Sequence, residues 1–118
     1  MKKYLPLLLM GMLALGGCQS KPATYEEAQA PNELVPHAEK FVNDVAKKSK
    51  HYTAEDWDMV IEQFVQMSKN YVEMRRYLTT EQQMKFDNTR VKFMSAVDAS
   101  GQENLASRVK EEYSKVLD

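Results

Sequence analysis

Residues 53–78, TAEDWDMVIEQFVQMSKNYVEMRRYL, determine the fold class that we predict for this chain. Large apolar side chains recur every seven residues along this stretch, and a second apolar series follows three residues later. This is the heptad pattern of a long helix that packs through one face. Ile61 and Val72 widen that face, so we expect it to contact two neighbouring helices. The two series are Trp57, Phe64, Tyr71 and Leu78, and Val60, Met67 and Met74.

Two threonines mark the starts of helices in this region. Thr53 is followed three residues later by Asp56, and Thr79 by Gln82, which is the spacing of a capping box at a helix N-terminus. We therefore expect the long helix to begin at Thr53 and to end just before Thr79. A third helix is predicted from about residue 80 to residue 99.

Shorter amphipathic stretches flank these two helices. After Pro36, apolar residues recur at three- and four-residue spacing as far as about Lys50, which predicts the first helix. Residues 100–103 include Gly101 and interrupt the third helix. A fourth, shorter helix with apolar residues at Leu105, Val109, Tyr113, Val116 and Leu117 then finishes the chain. We predict an all-α fold in which residues 32–118 form an antiparallel bundle of three main helices plus a shorter C-terminal helix.

The first seventeen residues have the composition of an export signal. Lys2 and Lys3 precede an uncharged, largely apolar run over residues 5–17. As a helix that run would be about 20 Å long, whereas the hydrocarbon core of a bilayer is about 30 Å thick. We therefore predict a cleaved signal peptide over residues 1–17 in place of a membrane-spanning helix.

The signal closes with LGGC at residues 15–18, which resembles the lipobox of bacterial lipoproteins. This resemblance implies cleavage before Cys18 and lipid attachment to its sulfur and to the new amino terminus, so we predict Cys18 as the lipidation site. Gln19 stands where an aspartate is associated with inner-membrane retention, which favours the outer membrane. The neutral to basic residues 19–21 favour its periplasmic face, with surface exposure left open. The alternative is an ordinary secretory signal followed by an incidental thiol.

The segment between the signal and the bundle is predicted to be a flexible tether. Residues 18–31 are rich in Ser, Pro, Ala, Thr, Glu and Gln, and Tyr25 is their only sizeable apolar residue. Such a composition favours a coil, and about thirteen residues of coil span roughly 20 Å. We expect this length to separate the bundle from the lipid headgroups.

Composition narrows the classes of function. A chain of 118 residues permits one domain, and its single cysteine excludes internal disulfides and multi-cysteine metal sites. Fourteen basic and seventeen acidic residues follow the signal, and this balance argues against nucleic-acid binding. The sequence contains no nucleotide-binding, hydrolase or zinc-protease motif, so we predict no enzymatic activity and no cofactor.

Histidines and carboxylates are the candidates for a metal or catalytic site. His51 and Glu55 are four residues apart, but the helix begins between them, and two ligands are too few for zinc. His37 has no partner nearby in the sequence. The cluster of Glu55, Asp56 and Asp58 lacks the glycine of a calcium loop, and it suits the positive end of a helix dipole. We therefore predict no metal site.

Three other features have an alternative interpretation as binding sites. Trp57 could stack on a sugar or peptide, but its place at the head of the heptad series predicts burial. Methionines could line an adaptable peptide groove, although core packing accounts for most of them. Basic residues around the second connection could contact a phosphate or a lipid headgroup. These sets are Met59, Met67, Met74, Met84 and Met94, and Arg75, Arg76, Lys85, Arg90 and Lys92.

The order of these elements resembles a group of small uncharacterised helical lipoproteins from Bacteroidota. In that group a lipobox precedes an aromatic-Thr-x-Glu-Asp-Trp helix start, here residues 52–57, and a Leu-Thr-x-Glu start, here residues 78–81. The resemblance covers the signal and about residues 40–97. It differs at residues 88–90, where Asn-Thr-Arg replaces a glycine-containing turn. The resemblance implies a helical fold and an envelope location, and it supplies no catalytic residue.

Two functions are compatible with these patterns. We predict a lipid-anchored, non-enzymatic module for protein interaction or envelope maintenance, with an exposed apolar or aromatic patch that contacts an unidentified envelope protein. The alternative is a chaperone-like lipoprotein that binds a small ligand or a peptide in a groove between its long helices. Methionine and aromatic side chains would line that groove.

Overall fold

The computed structural model describes residues 21–117. This part of the chain contains four α-helices: α1 (Pro31–Lys48), α2 (Ala54–Met74), α3 (Thr80–Ala99) and α4 (Leu105–Leu117). Single 3₁₀ turns, Ser49–His51 and Arg75–Tyr77, follow α1 and α2, and none of the described residues forms a strand. The predicted all-α bundle of three main helices and a shorter C-terminal helix is confirmed.

Capping boxes start both α2 and α3. The Thr53 hydroxyl accepts from the Asp56 N–H at 3.1 Å, and the Asp56 carboxylate accepts from the Thr53 N–H at 2.9 Å. Thr79 and Gln82 make the same reciprocal pair at 3.0 and 2.8 Å. Each box satisfies two backbone donors that the first helical turn leaves without partners. Both predicted helix starts are confirmed.

Ring contacts show that helices adjacent in sequence run antiparallel. Phe64 of α2 stacks on Phe93 of α3 with centroids 4.4 Å apart, and Tyr71, later in α2, stacks on Phe86, earlier in α3, at 4.1 Å. α1 is also antiparallel to α2, because Ala28, just before α1, binds Asn70 late in α2, and Tyr52, just after α1, meets Trp57 early in α2. α1 therefore runs parallel to α3, against which it packs closely, and α2 packs closely against α4. The α1–α2 and α3–α4 connections lie at one end of the bundle, here called the α1–α2 end. The α2–α3 connection lies at the opposite end.

Phe93 is the centre of the aromatic core. Its side chain is fully buried and stacks between Phe41 and Phe64, with the indole of Trp57 edge-on at 6.5 Å. The predicted heptad positions of α2 are also buried, since Trp57 and Phe64 are each 1% exposed and Tyr71 is 8% exposed. Aromatic pairs add roughly 0.5–1.5 kcal/mol each beyond the area that they bury. The α2 seam is therefore the core surface that its periodicity predicted.

α1 begins six residues earlier than expected. The sequence predicted a start after Pro36, whereas the helix starts at Pro31 and contains Pro36. Pro31 occupies the first helical position, where its fixed φ fits and a backbone N–H is not needed. Pro36 lies on the exposed face of α1, so the Asn32 carbonyl that it leaves without a partner can be hydrated. Leu34 and Val35 are buried, which makes the added turn part of the core.

α3 and α4 are separated where the sequence predicted an interruption. The last turn of α3 is closed by the Ser100 N–H, which donates to Ala96 and Val97 carbonyls at 3.1 Å. Gly101 then adopts a φ of 72°, a left-handed conformation that costs glycine little. Asn104 follows with a φ of 69°, and α4 begins at the next residue. These two residues redirect the chain so that α4 packs beside α2.

Residues 21–30, which the sequence assigned to a flexible tether, instead form an extended segment packed on the bundle. We call this segment the strap. Ala23, Tyr25 and Ala28 of the strap are buried, and the Tyr25 ring meets Phe41 of α1 edge-on at 6.2 Å. The tether prediction is thus corrected for this part of the segment, because alternate small and aromatic residues bury enough surface to order it. Residues 18–20, which include Cys18, and the predicted signal peptide lie outside the described part of the chain.

Side chains from the helices bind the backbone of the strap. The Ala23 N–H donates to the Tyr52 hydroxyl at 3.0 Å, and the Tyr25 N–H donates to Gln63 Oε1 at 2.8 Å. Asn70 Oδ1 accepts from both the Tyr25 hydroxyl at 2.6 Å and the Ala28 N–H at 2.7 Å. The strap therefore runs along the seam between α1 and α2, from the α1–α2 end to the opposite end.

Candidate functional site

A groove between α1 and α3 opens at the α1–α2 end of the bundle. Its volume is about 600 Å³, which is within the range of small-molecule sites. Parallel packing of α1 and α3 brings the C-terminal halves of both helices to its two walls. The lining combines a small apolar floor with polar walls: Val42, Asn43, Ala46, Ser49, Lys50, Tyr52, Trp57, Lys92, Ser95, Ala96, Ala99, Ser100 and Gln102.

The charged groups of the groove lining are both lysines. Lys50 follows α1, Lys92 lies on α3, and both side chains are exposed. No carboxylate is part of this lining. Tyr52 and Trp57 form the aromatic part of the wall and meet edge-on at 5.3 Å. Burial raises the pKa of Tyr52 above its ordinary value, so its hydroxyl remains a neutral hydrogen-bonding group at physiological pH.

A second patch lies at the α2–α3 end, and we call it the turn patch. We group in it Arg75, Arg76 and Tyr77 of the 3₁₀ turn and the exposed Met84, which follows Tyr77 by seven residues in the second turn of α3. Tyr77 is 66% exposed and Met84 is 60% exposed. The Arg76 guanidinium lies 5.6 Å from the centroid of the Tyr77 ring. The turn patch thus presents cationic, aromatic and thioether groups to solvent.

A smaller cavity of about 480 Å³ lies between α2 and α4. Arg108 lines this cavity and pairs with Asp58, which lies outside the lining, at 2.6 Å. Both partners are about half exposed, and such surface pairs contribute little to stability. The cavity has no aromatic lining, and its charged residues, Glu62, Arg108 and Glu112, are of mixed sign, so it offers fewer features for binding than the groove does.

The acidic cluster at the start of α2 is divided among separate structural roles. Asp56 closes the capping box with Thr53, and Asp58 binds Arg108, while Glu55 is exposed to solvent. His51 is exposed in the turn before α2. Within residues 21–117, no three His, Cys, Asp or Glu side chains converge as metal ligands.

His37 has a role that its sequence context did not indicate. Its Nδ1 lies 2.9 Å from the Glu26 carbonyl oxygen of the strap. Because a carbonyl only accepts hydrogen bonds, Nδ1 must carry the hydrogen. His37 therefore joins Tyr52, Gln63 and Asn70 as a side chain that fixes the strap.

The five candidate methionines do not line the groove. Met67 is fully buried, and Met74 and Met94 pack against the core, as their place on the helix faces predicted. Met59 and Met84 are exposed on α2 and α3. The groove contains none of these methionines, whereas Tyr52 and Trp57 supply the aromatic part of the lining that the alternative hypothesis predicted. Ligand binding itself stays a prediction.

The five basic candidates are dispersed over the bundle. Lys85 is 3.6 Å from Glu81 on the same helix, and the Arg90 guanidinium lies 4.8 Å from the centroid of the Tyr113 ring. Arg75 and Arg76 lie in the turn patch, and Lys92 lies in the groove wall. Lys50, which the sequence did not single out, is the basic residue that the fold brings to the same groove as Lys92.

Trp57 is buried, as the heptad pattern predicted, and it also lines the groove. Trp57 can therefore be a core residue and still contribute to the surface of the groove. The groove was difficult to predict because the residues of its two sides are at least 35 positions apart in the sequence. Asn70 was also missed, because it belongs to neither apolar series of α2 and the sequence does not distinguish it from the other polar residues of that helix.

Comparison with known proteins adds no relative. The chain matches no family model, and it has no significant match among curated proteins or solved structures. Within residues 21–117, no helix is both long enough and apolar enough to cross a bilayer.

Proposed function

We propose that this chain is a lipid-anchored, non-enzymatic module of the cell envelope that binds an envelope protein. Cys18 carries the lipid, and the bundle lies on the periplasmic face of the outer membrane. The observation that supports an interaction role is the turn patch, an exposed aromatic and basic surface beside a well-packed core. Its position on a small bundle leaves it accessible to a partner.

The composition of the turn patch is typical of protein interfaces. Tyrosine, arginine and methionine are enriched in interfaces and in residues that dominate binding energy. Arg75 and Arg76 form no ion pair with other residues of the described chain. Their guanidinium groups are thus available to bind carboxylates of a partner in bidentate geometry. We infer that the partner surface is acidic and contains apolar groups that contact Tyr77 and Met84.

Site-specific crosslinking in the native envelope tests this surface. A photoreactive residue at position 77 is expected to capture a discrete partner, and the Arg75→Glu and Arg76→Glu substitutions are expected to reduce that capture. The matched control places the photoreactive residue at Met59, which is exposed on α2 outside the turn patch. Identical products from positions 77 and 59, or capture that is insensitive to charge reversal, would contradict the proposed surface.

Metabolic labelling tests the anchor separately. Cells that express the full chain are supplied with a palmitate analogue, and the Cys18→Ala variant is compared with the wild type. We expect lipid label in the wild type and none in the variant, because position 18 holds the single cysteine of the chain. Equal labelling of both proteins would exclude Cys18 as the lipidated residue.

The groove supports ligand binding as a second candidate function. Its volume of about 600 Å³ and its Tyr52 and Trp57 wall are the observations that favour it. A thermal-shift screen of small anionic ligands and short peptides tests this function, since a bound ligand raises the melting temperature. A Lys92→Gln variant should lose any shift that depends on charge. A screen without shifts would argue against soluble ligands of these classes.

A further inference from the structure

The strap connects the predicted lipid site to the groove end of the bundle. At its N-terminal end the Ala23 N–H donates to the Tyr52 hydroxyl at 3.0 Å, and Tyr52 also lines the groove. Five residues of chain lead from Cys18 to Ala23, which is a reach of at most about 17 Å. A lipid on Cys18 would therefore keep the groove end close to the bilayer. A long flexible tether would not hold it there.

The direction of the strap is fixed by contacts along most of its length. Gln63 and Asn70 of α2 bind its backbone, His37 of α1 binds the Glu26 carbonyl, and Tyr25 packs on Phe41. These contacts lie on both sides of the α1–α2 seam. The α1–α2 end is consequently the end from which the chain departs toward Cys18, and the turn patch lies at the opposite end.

The groove has the donors that bind a phosphate. Lys50 and Lys92 supply ammonium groups, and Ser49 and Ser95 supply hydroxyl groups. The lining also contains the small apolar side chains Ala46, Ala96 and Ala99, which suit the less polar glycerol portion of a headgroup.

Carboxylates near the groove have other positions or partners. Asp56 binds the Thr53 backbone, and Asp58 binds Arg108. Asp44, whose charge acts on Tyr52, lies 3.8 Å from Lys40 and is not part of the groove lining. Glu55, Asp98 and Glu103 are exposed and are not part of the groove lining. The charge within the groove is therefore positive, which favours an anionic ligand.

We propose that the strap holds the α1–α2 end of the bundle at the membrane surface and that the groove binds the phosphate headgroup of an anionic membrane phospholipid. The orientation rests on the lipid anchor of the proposed function. The turn patch then points away from the membrane, toward the envelope protein that we propose as its partner. The two ends of the bundle thus contact different components of the envelope.

Vesicle co-sedimentation tests headgroup binding without the anchor. Residues 18–118 with Cys18→Ser are mixed with vesicles of phosphatidylcholine alone or with added phosphatidylglycerol, at low salt. We expect binding only to the anionic vesicles. Substitution of both Lys50 and Lys92 by Gln should weaken it by about 25-fold, because one lysine near an anionic surface contributes about fivefold. Unchanged binding of this double variant, or no binding by the parent protein, would overturn the headgroup site.

A matched double variant controls for general charge. Lys69 and Lys110 are exposed on α2 and α4 and do not line the groove, and both are changed to Gln. This variant should bind anionic vesicles as the parent does. If it lost as much binding as the groove variant, the binding would reflect general attraction of positive charge to the vesicle and no specific site. Inorganic phosphate provides a further arm: full competition at low millimolar concentration would identify free phosphate as the ligand and overturn the lipid assignment.

Tryptophan quenching tests the orientation on a synthetic anchor. Cys18 is coupled to a maleimide phospholipid in vesicles that carry nitroxide headgroups, so the result does not depend on lipidation in cells. In a Trp57→Phe background, Gln102→Trp reports on the groove and Tyr77→Trp reports on the turn patch. We expect stronger quenching for position 102, with native Trp57 as a second reporter of the groove. Equal quenching at both positions, or stronger quenching at position 77, would overturn the orientation.

The two experiments separate the possible failures. Absence of palmitate label with orientation retained on the synthetic anchor would reject lipidation at Cys18 and leave the geometry of the strap intact. Normal labelling with equal quenching at both positions would retain the anchor and reject the proposed orientation.

Discussion

The helices and the strap are stabilised by different kinds of contact. Phe93 packs among three other aromatic residues in the helical core, whereas the strap combines a few buried side chains with hydrogen bonds that its backbone N–H groups donate to helix side chains. Apolar packing is nondirectional and tolerates approximate positions, but a buried N–H must meet its acceptor at a defined distance. A change in the core should therefore affect the whole domain, and a change at the strap should act locally.

The largest effect is expected from Phe93→Ala. Removal of a buried phenylalanine costs about 3–5 kcal/mol of unfolding free energy, and Phe93 is the residue on which Phe41, Phe64 and Trp57 converge. Urea denaturation followed by circular dichroism measures this loss. For a small domain such a loss removes a large part of the total stability.

Val91→Ala is the matched control for this prediction. Val91 lies two residues away on the same helix and is 55% exposed. Its substitution should change stability by less than about 0.5 kcal/mol. A comparable loss in both variants would mean that the two faces of α3 are not distinguished as core and surface.

The core could be predicted from the sequence because helix periodicity indicates which residues lie on the same face of a helix. Trp57, Phe64 and Tyr71 are seven residues apart, and all three are buried. The caps at Thr53 and Thr79 were predictable for a related reason, since a capping box needs residues only three positions apart. Local signals were therefore sufficient to predict that the four helices exist, although not where α1 begins.

The strap and the groove depend on contacts between distant parts of the chain. Tyr25 and Asn70 are separated by 45 positions, and no periodicity relates them. The composition of residues 18–31 predicted a coil, because composition does not show that the seam between α1 and α2 can bury part of this segment. Lys50 and Lys92 likewise meet at one groove only because α1 and α3 run parallel. The strap contacts and the pair of lysines could therefore be identified only once the arrangement of the helices was known.

Asn70→Ala should produce the next largest effect. Asn70 Oδ1 accepts from the Tyr25 hydroxyl and the Ala28 N–H, and Nδ2 donates to the Ala28 carbonyl at 3.4 Å. Loss of these bonds leaves buried donors without partners, which we expect to cost about 2–3 kcal/mol. Hydrogen exchange followed by mass spectrometry should show faster exchange in residues 22–28, with the centres of α2 and α3 still protected.

The control for this variant is Lys69→Ala, one residue earlier on α2 and exposed. It should leave exchange of the strap unchanged. If Asn70→Ala accelerated exchange equally in the strap and in the helices, the strap would be part of one cooperative unit with the core. The distinction between a general and a local response would then be incorrect.

The smallest effect is expected from Tyr25→Phe, and it should depend on pH. Burial raises the pKa of Tyr25 well above its ordinary value, and the charge of Glu27 raises it further, against a lowering contribution from the Ala28 backbone. Below about pH 10 the phenol is protonated in both states, and loss of its bond to Asn70 should cost about 1 kcal/mol. Above about pH 10 the unfolded chain releases this proton while the folded chain retains it, so the wild type loses up to about 1.4 kcal/mol of unfolding free energy per pH unit from this group.

Tyr52 and Tyr71, whose pKa values burial also raises, are present in both proteins and cancel in the comparison. The advantage of the wild type in urea denaturation should therefore disappear near pH 11, whereas a constant difference from pH 8 to pH 11 would show that the Tyr25 hydroxyl is not buried against Asn70.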